Sequence, residues 1–270
     1  MSEEILFGSA AEMSAREQAV WGVMEKTRDM IIRKCNKCTD GFIDITPNPN
    51  IQNLESFAAH IAKECECRGR AEWVSKLIYS GIPKQFVSAD AIKLPIDKNS
   101  LTVVLEYIAK LDKAYGQGLG LLFCKSGPLP LPNGNLARQM AAIKVLLTAL
   151  SKKYSVHFID INDYIELFRK AARDDTKTDL IHEINSVDFL CIDNIGNISM
   201  TDYMGSQFES VISCRVLNKV PTIFLSHRDW KYLETWFGPL CDSVMQNCVK
   251  ISITEFKKAK QNFATIEGKL

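Results

Sequence analysis

Short apolar runs and longer stretches of helical period alternate along most of this chain. Leu119–Cys124, Val156–Ile159, the four residues before Asp193, and Lys219–Ser226 read as strands. Between and around them, Leu101–Tyr115, Leu136–Ser151, Ile161–Arg173 and Phe208–Leu217 carry apolar side chains at helical spacing, with Val104, Ile108 and Leu111 inward in the first. Strand and helix in alternation predict an α/β domain with a parallel sheet. The chain ahead of that domain has a different pattern. Ser14–Arg33 places Ala19, Val20, Val23, Met24, Met30 and Ile31 at mostly helical spacing behind Ser14 as N-cap. Trp73, Leu77 and Ile78 fit a second helix face, which Gly81 and Pro83 stop. These breaks divide the chain into residues 1–80, 81–255 and a basic tail, 256–270, with the main boundary near Tyr79–Val87.

Composition narrows the picture. A net charge of +1 gives no general pull toward nucleic acid or a membrane surface, so any such contact needs a local basic patch. No apolar run approaches the roughly 20 residues that span a bilayer. The start, MSEEILFGSAAEM, is acidic where a signal peptide is basic. The expectation is a cytoplasmic protein with no membrane partner. Nine cysteines, an odd number, suit reduced thiols and a metal site better than a disulfide framework.

Four of those cysteines are grouped. Cys35-x-x-Cys38 lies in KCNKCTDG, and Cys65-x-Cys67 follows in the sequence after a polar loop. Two close thiol pairs are what tetrahedral zinc requires, each short turn offering two sulfurs to one ion. The alternative is four free thiols. A short helix or irregular turn is expected between the pairs, around Phe57–Ala62, with His60 as an exposed helix side chain rather than a substitute ligand.

A second constellation lies in GLGLLFCKSGPLPLPNGNLARQMAAIKVLLTALSKKYSVHFID, Gly118–Asp160: a strand, a loop rich in Gly and Pro, a helix, then a strand. In G-x-x-x-x-G-K-[ST] such a loop cradles phosphates with its amides, the lysine reaching the outer phosphates and the hydroxyl holding magnesium. Here Gly127 opens the loop and Gly134 closes it, but Asn135 and Leu136 stand where Lys and Ser/Thr belong. The loop is too long for the motif, and Pro128, Pro130 and Pro132 offer no N–H. Lys125, just before the loop, or Arg138, just after it, is the candidate to replace the missing lysine. Asp193 ends an apolar strand, at the edge where open α/β sheets bind ligands. It is either a magnesium ligand or a turn aspartate in Asp-Asn-Ile-Gly.

The four cysteines, the stretch SGIPKQF, the β-loop-α unit, the apolar strand to Asp193 and the strand VPTIFLS together resemble the bacterial helicase-loader family of DnaC and DnaI type. They also resemble its transposition relatives, the IstB proteins. The resemblance covers about Cys35 to Ile253. It implies a three-layer AAA+ domain of P-loop type behind a small helical, zinc-binding domain that docks a partner. It also implies ATP and magnesium as cofactors, and as partners a replicative helicase or another loader, single-stranded DNA, and a homo- or hetero-oligomer.

Several positions depart from the family pattern. Asn194 stands where a second carboxylate orients the attacking water, and an amide cannot take that proton. His227, in Ser226-His227-Arg228, stands at the sensor of the terminal phosphate, or is simply a polar strand end. Arg215 matches a basic position before the sensor strand. The place of the arginine finger falls at Ser243, with no arginine nearby. Each loss removes charge stabilisation worth roughly 3 kcal/mol in a transition state. The expected protein is a degenerate AAA+ loader, carried by a phage or mobile element, that acts by assembly rather than hydrolysis. The alternatives are an active ATPase with an unorthodox cradle and an IstB-like transposition adaptor. In that last case Lys152, Lys153, Arg169, Arg173 and Lys177 would have to converge on DNA.

Overall fold

The computed structural model describes residues 26, 29–38, 42–47, 60–83, 86, 94, 96–125, 134–173, 182, 186–199 and 201–253. Two compact units divide the chain, Met1–Ser80 and Gly81–Leu270. The loop carrying Gly127, the N-terminal part of the Ser14 helix, Lys177 and the basic tail lie outside the described residues.

In the first unit, residues 29–33 are helical. Strands β1 (Phe42–Pro47) and β2 (His60–Glu64) form an antiparallel pair, and helix α1 (Glu66–Tyr79) follows. The paired strands correct the expected helix or turn before Cys65: residues 60–64, with His60, are extended and paired with 42–47. Ala62, one of the residues that suggested a helix, sits in the paired strand, since β propensity depends on the partner available, while Phe57, Ala58 and Ala59 lie outside the described residues. Helix α1 buries Ala71, Ser75 and Leu77.

The second unit begins with α2 (Lys98–Ala109) and α3 (Leu111–Gln117). A single helix over Leu101–Tyr115 is thereby corrected. The ladder breaks at Lys110, at φ −109° and ψ 24°, and α2 starts earlier because Asp97 caps it, accepting from the Ser100 N–H at 2.9 Å. Leu111 and Val104 are buried as the pattern required. Gly118, left-handed at φ 67°, ends α3 and turns the chain into β3 (Gly120–Lys125).

Then come α4 (Gly134–Ser151), β4 (Val156–Asp160), α5 (Ile161–Arg173), β5 (Phe189–Asp193), α6 (Asp202–Leu217) and β6 (Thr222–Asp229). The unit closes with α7 (Trp230–Phe237), a 3-10 turn (Gly238–Leu240), α8 (Cys241–Asn247) and β7 (Cys248–Ile253). Helix α7 went unread in the sequence, although Asp229 caps it by accepting from Tyr232 N at 2.9 Å. The sensor strand also starts later than expected, because Lys219, at φ 54°, belongs to the turn before it.

Five strands form one sheet in the order β4-β5-β6-β3-β7, every pair parallel. Its centre is apolar on both sides: Leu121–Cys124 and Phe189–Ile192 are buried throughout. Leu122, Cys124, Leu190, Ile192 and Phe224 pack with residues of α5, α6, α7 and α8 in one cluster that contains nothing from α4. Helix α4 packs instead against β4, β5 and β6, and α2 packs on α4. The result is helices, sheet, helices, the three-layer arrangement of α/β domains. Gly120 permits the central contact: a Cβ there would lie 1.9 Å from the Thr222 carbonyl oxygen of β6.

Candidate functional site

In the first unit the four expected thiols meet. Cys65 precedes α1 and Cys67 sits in its first turn, while Cys35 and Cys38 come from the turn after the helical residues 29–33. Cys35 Sγ lies 3.7 Å from Cys65 Sγ, and Cys38 Sγ 3.4 Å from Cys67 Sγ. All four sulfurs fall within 4.8 Å of one another. Zinc with bonds of about 2.3 Å sets tetrahedral sulfurs about 3.8 Å apart. The cluster therefore fits one such ion, and its separations are too long for disulfides. A hydrogen bond from the Lys37 backbone, then one with Cys38, lowers the Cys35 thiol to about 7, whereas burial first pushes Cys67 up. Thiols release their protons when they take up a metal, and Cys35 is the one lowered toward doing so. Among the described residues this is the one cluster of metal-ligating side chains.

At the carboxyl edge of the sheet, β3 delivers Lys125, β4 Asp160, β5 Asp193 and β6 His227. Asp193 is 5% exposed. Its Oδ2 accepts from Gln139 Nε2 of α4 at 2.5 Å, and its Oδ1 from the Asn194 N–H at 2.7 Å. Asn194, left-handed at φ 58°, donates its side-chain amide to Asp160 Oδ2 at 2.5 Å. Asp160 Oδ1 accepts from Asn162 N at 2.8 Å and Asn162 Nδ2 at 2.7 Å. Burial raises the Asp193 carboxyl and outweighs the hydrogen bonds and the Arg138 charge, which act the other way. Arg138, 3% exposed, is lowered to about 10 by burial, against the pull of Asp193 and Cys124. Burial, then the charges of Arg228, Arg138 and Lys125, holds the His227 imidazole below its ordinary range.

No family model matches the sequence. The replicative helicase loader DnaI of Bacillus subtilis (strain 168) is 19% identical over 199 residues, 72% of this chain. The chain spans 61% of that relative's length. Among solved structures, the DnaC helicase loader superposes with a TM-score of 0.55 at 16% identity, covering 64% of this chain and 100% of that one. The replication initiator DnaA, bound to AMPPCP and single-stranded DNA, superposes with a TM-score of 0.50 at 16% identity, over 63% of this chain and 50% of that one. The fold is that of the helicase-loader-like AAA+ family.

Within this AAA+ domain, the structure brings Asp193, Asn194 and Asp160 together and places Lys125 and His227 in one field of positive charge. Gly134 and Asn135 open α4, and Leu136 follows half-buried, without the hydroxyl that would hold magnesium. Among the described residues, Asn135 and Leu136 offer neither the lysine nor the hydroxyl of a magnesium–triphosphate site, and Asp193 accepts a hydrogen bond from the chain at each oxygen. Arg138 is 3% exposed, and the charge of Asp193 favours its protonated form.

Arg215 sits at the other edge of the sheet and is 1% exposed. It donates to the carbonyls of Val187 and Pro221 and to Thr222 Oγ1, at 2.9, 2.6 and 3.0 Å. Its role here is to tie the amino ends of β5 and β6. Ser243 lies on α8. Of the basic residues considered for DNA, Lys152 is engaged with Asp112 at 2.6 Å, and exposed Arg169 lies beside Met204. Among the described residues no helix is long and apolar enough to cross a membrane.

Sequence reasoning missed Gln139. Its one signal was position: it stands one turn beyond Asn135 on α4, beside the inward-facing Arg138.

Proposed function

We propose that this chain is a degenerate AAA+ protein of the helicase-loader type that acts in DNA replication by assembly rather than by ATP hydrolysis. Its first unit, clasped by zinc on Cys35, Cys38, Cys65 and Cys67, docks a replicative helicase or another loader. Its second unit is the platform that the assembly builds on, with single-stranded DNA as the nucleic acid handled by the complex. The observation that carries this reading is the Asp193 carboxylate, filled at both oxygens by its own chain on a fold shared with the DnaC helicase loader.

A phosphoryl transition state is stabilised by a lysine, a metal and a positioned base. In this sequence Asn135, Leu136 and Asn194 replace the groups that would supply them. What remains is shape, and shape is enough to bind partners. The test is co-purification of the full chain with a hexameric replicative helicase, together with an ATPase assay of the same material. Capture of the helicase, its loss on Cys35→Ser, and no turnover above background are expected. Steady ATP turnover, or capture unaffected by Cys35→Ser, would sink the reading.

A further inference from the structure

We infer that Gln139 and Asn194 stand in for the divalent cation of this fold, holding the Asp160–Asp193 carboxylate pair in place while the buried Arg138 offsets one of its two charges, so that the site is complete without metal. The inference deepens the reading above and rests on it. A cation at such an edge has two tasks: it fixes the carboxylates in space and it cancels their charge.

Fixing is done here by amides. All four oxygens of the pair accept a hydrogen bond from the chain: Asp193 Oδ2 from Gln139, Asp193 Oδ1 from Asn194 N, Asp160 Oδ2 from Asn194 Nδ2, and Asp160 Oδ1 from Asn162. The amide orientations are unambiguous, because an ionised carboxylate only accepts. Asn194 is the hinge of the arrangement. Its backbone holds one aspartate while its side chain holds the other, and its left-handed backbone makes the double contact possible.

One of the two charges is offset by Arg138. It is buried in α4 at 3% exposure, and the charge of Asp193 is the largest influence favouring its protonated form. A buried charge persists only when another compensates it. Magnesium, by contrast, keeps several waters and holds its ligands at about 2.0–2.1 Å. With Asp193 5% exposed and Gln139 at 2.5 Å, a hydrated ion would have to compete with that amide for the carboxylate.

The experiment uses the full chain with its zinc retained. Manganese titration followed by electron paramagnetic resonance, in the absence of nucleotide, should show no site in the native protein and a new site in Gln139→Ala. In parallel, Asp193→Asn and Arg138→Met should each lower the melting temperature of the second unit, by roughly 6–12 °C. Asn offers one acceptor where two donors converge, and either change leaves a charge uncompensated. The double variant should lose clearly less than the sum. If Arg138→Met does not fold, Asp193→Asn against Gln139→Ala supplies the second cycle, with the same expectation of non-additivity. Manganese bound by the native protein as tightly as by Gln139→Ala, or additive losses, would overturn the inference. Helicase capture is a separate readout: its failure would end the functional reading and leave the cycle as it stands.

Discussion

The two edges of the parallel sheet each hold a buried charge, and the two are handled alike. At the amino edge, Arg215 gives its guanidinium to two carbonyls and a hydroxyl, all from the chain. At the carboxyl edge, Asp193 takes an amide on each oxygen, again from the chain. Open α/β sheets bind ligands at the carboxyl edge, where loops leave groups unsatisfied for a visitor. Among the described residues of that edge, each oxygen of Asp193 and Asp160 finds a donor within the chain. The four-cysteine cluster is the opposite case. Its sulfurs face one another, and an outside ion would complete them.

The contrast between a finished edge and an unfinished cluster can be pressed at three points. The largest effect is expected from Cys65→Ser. Structural zinc contributes on the order of 10–16 kcal/mol, so the variant should lose its zinc and the cooperative unfolding of residues 1–80. Metal analysis should fall from one zinc per chain to none, while the second unit's melting transition stays in place. Next in size is Arg215→Met. Removing one member of a satisfied buried charge network costs about 3–5 kcal/mol, read as a fall in the urea midpoint of the second unit, with the zinc content untouched. A negligible loss would mean that the two edges are not equivalent after all. The smallest is Asp97→Ala, about 1 kcal/mol by chemical denaturation, the usual worth of an N-cap. It should leave both manganese behaviour and zinc content unchanged.

How far the sequence revealed this molecule depends on the range of the interaction concerned. The central strands were legible because a buried parallel strand is apolar throughout, as in FLCID before its aspartate. Helix α5 coincides with Ile161–Arg173, where a strong amphipathic period follows a strand that ends in aspartate. The break at Lys110 was not legible, because no Gly or Pro marks it and the apolar period runs straight through. The β1–β2 pair was hidden for a different reason: Phe42, Ile43 and Ile45 suit a strand, but the partner segment HIAKE carries no strand pattern of its own, and only cross-strand pairing fixes it.

At the site, the chemistry that was missing could be read directly, since Asn135, Leu136 and Asn194 occupy motif positions. What took its place could not. The Gln139–Asp193 bond joins residues 54 apart in sequence, and only the packing of α4 on the sheet brings them together. Arg215 was noted as a basic position, yet its burial between two strand ends depends on α6 being held over the turn at Lys219.

One irregularity in the sheet carries a consequence for how this protein can change. Between the pairs Phe123–Leu225 and Lys125–Asp229, β3 has one residue, Cys124, and β6 has three, Ser226, His227 and Arg228. Exchanging side chains there cannot move His227 to another rung, because the surplus is in the backbone. Regular pairing there would require residues removed from β6 as well as replaced, so no point substitution alone can bring it about.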